Sequence, residues 1–207
     1  MIITKDTAVA VSSKIEMTDA AGEKNVASSS RSNNREKNIE LMDYLYSAAA
    51  DGNIKKFEQH ARVLKQILTP NEPLWMAHKR GETLLHMAAR HGHADVAKFH
   101  LEECKKPKQN NHDQELGIKN TRKMLQMINE AKDTALHEAV HYNHIDVVKV
   151  LTAADCELLY DANTAGETPL YLAAERGYEE VLDEIFHTCF SPADHGRYSR
   201  TALHAHN

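Results

Sequence analysis

The chain resembles itself, and that constrains its fold more than any other feature. TLLHMAARHGHADVAKFHL begins at Thr83, TALHEAVHYNHIDVVKVL at Thr134 and TPLYLAAERGYEEVLDEIF at Thr168. TALHAHN begins at Thr201, and a degenerate copy, DYLYSAAADGNIKKFEQHA, begins at Asp43. Successive starts are 40, 51, 34 and 33 residues apart, so the last two share one period and the first two carry insertions. A unit this short cannot bury an apolar face alone and must stack on its neighbours.

The unit is legible position by position. The opening Thr can cap a helix through its hydroxyl, and Pro169 has the fixed φ that suits a first turn. Leu85, Leu136, Leu170 and Leu203 read as buried anchors. The pairs Ala88–Ala89 and Ala173–Ala174 are small enough for neighbouring helices to approach closely. Nine residues after each start stands Gly52, Gly92, Asn143 or Gly177, residue types that tolerate the left-handed conformation ending a helix. A second helix follows, with apolar residues at helical spacing: Ile145, Val148 and Val150–Leu151, or Val181–Leu182 and Ile185. The spacing predicts an all-α solenoid of helix, tight turn, helix.

The period and the TPLY, TALH and TLLH openings resemble the ankyrin repeat, whose signature is T-P-L-H-x-A. The resemblance spans residues 41–207, with units starting near 43, 83, 134 and 168 and a truncated one at 201. The runs NEAKDTALHEAVHYNHIDVVKVL and GETPLYLAAERGYEEVL look like plant ankyrin proteins of the accelerated-cell-death type. That resemblance implies a non-catalytic scaffold for protein partners in plant defence or stress signalling. It also implies a hydrophobic, membrane-spanning domain after the array. The sequence breaks off inside the unit that starts at Thr201, so the expectation for these residues is a cytoplasmic protein without that anchor. A soluble competitor that associates with membrane-anchored relatives is the alternative of this kind. The break also leads to the expectation that Val181, Leu182 and Ile185 are poorly covered.

The resemblance places the partner-binding surface on the concave face, at the tips and first helices of the units. By position, the tips are Arg80, Glu82, Lys132 and Glu167. The first helices present Met87, Arg90, Glu138, His141, Tyr142, Leu172 and Arg176. Tyr and Arg are the types that dominate interface energetics.

One motif competes with this reading. His137-Glu138-Ala139-Val140-His141 is a literal HExxH, and residues four apart on a helix share a face. A zinc metalloprotease is the resulting enzyme alternative. Three features count against it. His137 is the fourth residue of its unit, matched by His86 and His204; in ankyrin proteins this His bonds within its own unit. The position of His141 holds Arg90 and Glu175 in other units. The extended motif needs Gly and His where His144 and Val147 stand. His91 and His93 flank Gly92, and His144 is the equivalent of His93, so these also read as repeat parts. His195, His204 and His206 read as adventitious metal ligands at most. No phosphate-binding glycine motif or nucleophile elbow is present, so no cofactor, resident metal or catalytic residue is expected.

The remaining segments are polar. Residues 1–40 read as a disordered tail, because residues 19–38 carry Val26 as their sole large apolar residue. Residues 103–123, ECKKPKQNNHDQELGIKNTRK, read as a solvated loop, with a short helix near Met124 to Ile128. The KKPK run at 105–108 is too thin for an anion-binding patch, and residues 68–75, with two Pro, read as a bent connection. Lys and Arg total 25 against 30 Asp and Glu, which excludes nucleic acid as the default partner. No apolar run is long enough to span a bilayer. Cys104, Cys156 and Cys189 form no CxxC pair and read as free thiols in a reducing compartment.

Overall fold

The structure is a computed structural model that describes residues 40–67, 79–105, 113–155 and 161–188. The expectations for the tail, the 68–75 connection, Lys106 to Lys108, Cys156, Cys189, His195 and the unit opening at Thr201 lie outside these residues. No strand occurs among the described residues, and the all-α expectation holds.

Helices come in pairs. Helix α1 spans residues 40–50 and α2 spans Ile54–Ile67. Unit two is α3 (Leu84–Arg90) and α4 (Ala94–Lys105). After it comes an extra helix, α5 (Asp113–Leu125). Unit three is α6 (Ala135–His141) and α7 (Ile145–Ala154), and unit four is α8 (Pro169–Glu175) and α9 (Glu179–Thr188). First helices α3, α6 and α8 pack side by side, and second helices α2, α4, α7 and α9 form the layer behind them.

The opening threonines cap as expected. Thr83, Thr134 and Thr168 lie in extended backbone, and each hydroxyl oxygen accepts from the N–H three residues on. Asp43 does not play this part: α1 begins three residues earlier and runs through it. Each first helix ends on a left-handed residue: Gly52 (φ 66°), Gly92 (77°), Asn143 (57°) or Gly177 (68°). Between the layers Leu85, Ala88, Ala89, Leu136, Ala139, Leu170, Ala173 and Ala174 are all buried. The small residues let backbones approach, and the leucines fill the space between units.

Two expectations are corrected. The 103–123 insertion is no loop for most of its length: α5 runs through it and stops at Leu125, so the short helix at 124–128 is misplaced. Its buried face is Gly117, Thr121, Met124 and Leu125, a helical stripe half built of small residues. Gly117 sits where a Cβ would lie 2.9 Å from the Lys105 carbonyl oxygen. The Arg122 guanidinium then grips Asp155 at the end of α7 through Nε and Nη2 (2.5 and 3.0 Å). Unit four is also better covered than expected. Val181 and Ile185 are buried, and Leu182 is half-buried against the core. Helix α9 packs on both α7 and α8.

Candidate functional site

Two sets of histidines join the units. His86 is buried, and its Nδ1 accepts from the Thr83 N–H at 3.2 Å and lies 2.7 Å from the Thr83 hydroxyl. Its Nε2–H is left to donate forward, to the Asp133 carbonyl of the next unit at 2.9 Å. His137 repeats this with Thr134 (3.1 Å) and the Glu167 carbonyl (3.1 Å). The bond expected within each unit is therefore half of the arrangement, and the other half crosses to the neighbour. In the degenerate unit Tyr46 holds the same position, and its hydroxyl donates to the Glu82 carbonyl at 2.9 Å. Burial holds His86 and His137 below the ordinary imidazole pKa, so both stand neutral.

The second set reaches backward. His93 Nε2 donates to the Ala50 carbonyl at 2.8 Å, and His144 Nε2 to the Arg90 carbonyl at 3.1 Å. Their rings lie on the turn glycines of the preceding unit: a Cβ on Gly52 would sit 2.3 Å from His93, and one on Gly92 2.7 Å from His144.

These staples align the loop tips. Asn129 accepts from the N–H groups of Ala131 and Asp133 through Oδ1, both at 2.9 Å. Thirty-four residues on, Asn163 does the same for Ala165 and Glu167 (2.9 and 3.0 Å). The tips then bond to each other: Glu130 N–H to the Arg80 carbonyl, and Thr164 N–H to the Ala131 carbonyl. Lys132 takes the left-handed conformation (φ 59°) that Gly81 and Gly166 take at equivalent positions.

A cleft of about 300 Å³ opens between the tips and first helices of units two and three. Arg80, Glu82, Arg90, Glu138, His141 and Tyr142 line it, with Asn129, Glu130, Ala131 and Asp133. Six of the eleven expected partner residues thus share one site. At its floor Arg90 is held by two carboxylates. Its Nη2 lies 2.5 Å from Glu82 and 2.6 Å from Glu138, and its Nε donates to Glu138 at 3.1 Å. Those hydrogen bonds, that to Glu138 foremost, raise the Arg90 pKa further above its usual value. Asn129 Nδ2 donates to the same Glu138 carboxylate at 3.1 Å. The Tyr142 ring is half-exposed at the rim and stacks on His144 (centroids 6.3 Å apart, planes 18° apart).

The other expected residues scatter. Arg176 borders the cleft from unit four, donating to the His141 carbonyl at 3.0 Å and lying 3.2 Å from His141 Nε2. Lys132 is exposed at its tip, and Glu167 is half-buried. Met87 packs partly against the core. Leu172 is a correction: at 1% exposure it belongs to the core, whereas Glu138 at the equivalent position of unit three lines the cleft. Glu138 is corrected in part. It lines the cleft at 6% exposure, but its carboxylate is committed to Arg90 and Asn129. Asn129, Glu130 and Asp133 were missed; the shared pattern of NEAKDT and NTAGET carries the signal that finds them.

The HExxH run does not converge on a shared ligand position. Both His137 ring nitrogens are engaged in buried hydrogen bonds, Glu138 is bound to Arg90, and His141 is exposed against Arg176. Among the described residues no three His, Cys, Asp or Glu are grouped to hold a metal ion. No helix among them is long and apolar enough to cross a membrane.

Known proteins match the same residues. The family described as ankyrin repeats in three copies matches residues 37–159, and that described as ankyrin repeats in many copies matches 136–183. A poly [ADP-ribose] polymerase tankyrase of Caenorhabditis elegans is 32% identical over 113 residues, covering 53% of this chain. The chain spans about 5% of that relative's length.

Proposed function

Because the chain belongs to the ankyrin-repeat family, we propose that it is a non-catalytic scaffold that binds protein partners through the tips and first helices of units two to four. The observation that carries this is the gathering of Arg80, Glu82, Arg90, Glu138, His141 and Tyr142 around one cleft. Exposed Tyr142 and Arg176 are residue types that anchor interfaces. His86, His93, His137 and His144, among the residues most suggestive of chemistry, are spent on joining units. The polymerase activity in the name of the tankyrase relative stays with that protein, since the match covers a small part of it. We place the scaffold in plant defence or stress signalling on the resemblance of residues 129–151 and 166–182 to the accelerated-cell-death type. A cytoplasmic location belongs to the same proposal.

The test is affinity capture with the full chain and with a Arg80→Ala, Tyr142→Ala, Arg176→Ala variant of matched melting temperature. Partners recovered by the first and lost by the second support the reading. Equal recovery places the binding surface elsewhere.

A further inference from the structure

The cleft between units two and three has a definite chemistry, and this inference rests on the partner-binding reading of that same site. Its volume of about 300 Å³ is at the lower limit for ligand pockets, which suits one long side chain better than a whole small-molecule ligand. Its floor is electrostatically incomplete: Glu82 and Glu138 share the single guanidinium of Arg90, so two negative charges meet one positive. Glu138 is satisfied by Arg90 and Asn129, so the charge left short of a counter-charge is that of Glu82, which shares Arg90 and stays about one-fifth exposed in the cleft. Glu130 and Asp133 add two carboxylates along the wall, against Arg80. At the rim the half-exposed Tyr142 ring, stacked on His144 and tilted against His141 (centroids 5.6 Å apart), adds an aromatic surface for a cation.

We propose that the cleft receives a guanidinium side chain from a partner protein. A planar guanidinium satisfies two needs together. It offers several N–H donors to carboxylates, and it stacks on an aromatic face, which a lysine ammonium does less well. Arg90 does not bar entry, because its donors are already turned to Glu82 and Glu138. The cleft is thus a specificity pocket for arginine. Aliphatic or acidic side chains leave its charge unmet.

The experiment is a titration of the full-length ¹⁵N-labelled chain with N-acetyl-arginine amide, read by amide chemical shifts. N-acetyl-citrulline amide, of the same shape without the charge, and N-acetyl-lysine amide run in parallel. The expected result is saturable shifts confined to residues around 80–90 and 129–142, weaker for lysine and absent for citrulline. Glu130→Gln and Tyr142→Leu, both at exposed positions, should each weaken arginine binding about two- to fivefold. Equal shifts with citrulline, shifts scattered over the chain, affinity unchanged in both variants, or no shifts at all would overturn the proposal. If arginine fails while the triple variant still loses its captured partners, the scaffold reading survives and this inference alone falls.

Discussion

His86 of unit two donates from Nε2 to the backbone carbonyl of Asp133 in unit three, 2.9 Å away. The same ring accepts the Thr83 N–H, so one neutral imidazole caps its own unit and ties it to the next. Replacing His86 with Phe removes both bonds and leaves buried backbone groups unsatisfied, a loss of about 2–4 kcal/mol. Tyr46→Phe removes one hydroxyl bond and leaves the ring packed, a loss of about 1 kcal/mol. Urea denaturation of the two variants measures the difference, and equal losses would refute the double role.

The neutral state of these rings makes stability depend on pH. Burial holds His86 and His137 below the ordinary imidazole pKa, so the unfolded chain binds protons that the folded one refuses. Their contribution is complete above about pH 6.5. It declines as pH falls below that value, by up to about 1.4 kcal/mol per pH unit for each ring. Thermal melts between pH 7.5 and 5 should show the decline, and His86→Gln should make it shallower. A slope unchanged by that substitution contradicts the assignment.

The turn residues give opposite outcomes by position. Gly92→Ala meets both a left-handed φ of 77° and the His144 ring at 2.7 Å. Gly177→Ala meets the φ of 68° with nothing within 4 Å, so it costs the backbone strain alone, about 1–2 kcal/mol. Gly92→Ala should therefore cost more. Lys132→Gly runs the other way: relief at φ 59° outweighs the added chain entropy and stabilises by about 0.5–1 kcal/mol. Melting temperatures rank the three, and destabilisation by Lys132→Gly would count against the strain argument.

Arg90 organises the cleft floor. Arg90→Met leaves the Glu82 and Glu138 carboxylates facing each other, and the partly exposed network should lose about 1–3 kcal/mol. Adding Glu138→Gln should recover part of that loss, because the charge left behind is then removed. A double-mutant cycle reads the coupling. Strict additivity would mean that the two residues do not act as a pair.

The repeat made most of the fold legible. Threonine caps, left-handed turns and stacked alanines follow from residues whose backbone preferences are strong. Helix α5 was not legible, because its buried stripe uses Gly117 and Thr121, which hydropathy patterns pass over. The cleft was legible in part. Position in the unit located Arg90, His141 and Tyr142, but it could not show that Leu172 turns inward or that Asn129 braces Glu138. Contacts between units depend on what the neighbouring copy presents, and one unit read by itself does not reveal it.

The central claim is that partners meet the tip and first-helix surface at the cleft. A photo-crosslinking amino acid at position 142, at the cleft rim, compared with one at position 118 on the exposed side of α5, tests it most directly. The account predicts partner adducts from position 142 and none from 118. Adducts from 118 with none from 142 would contradict it.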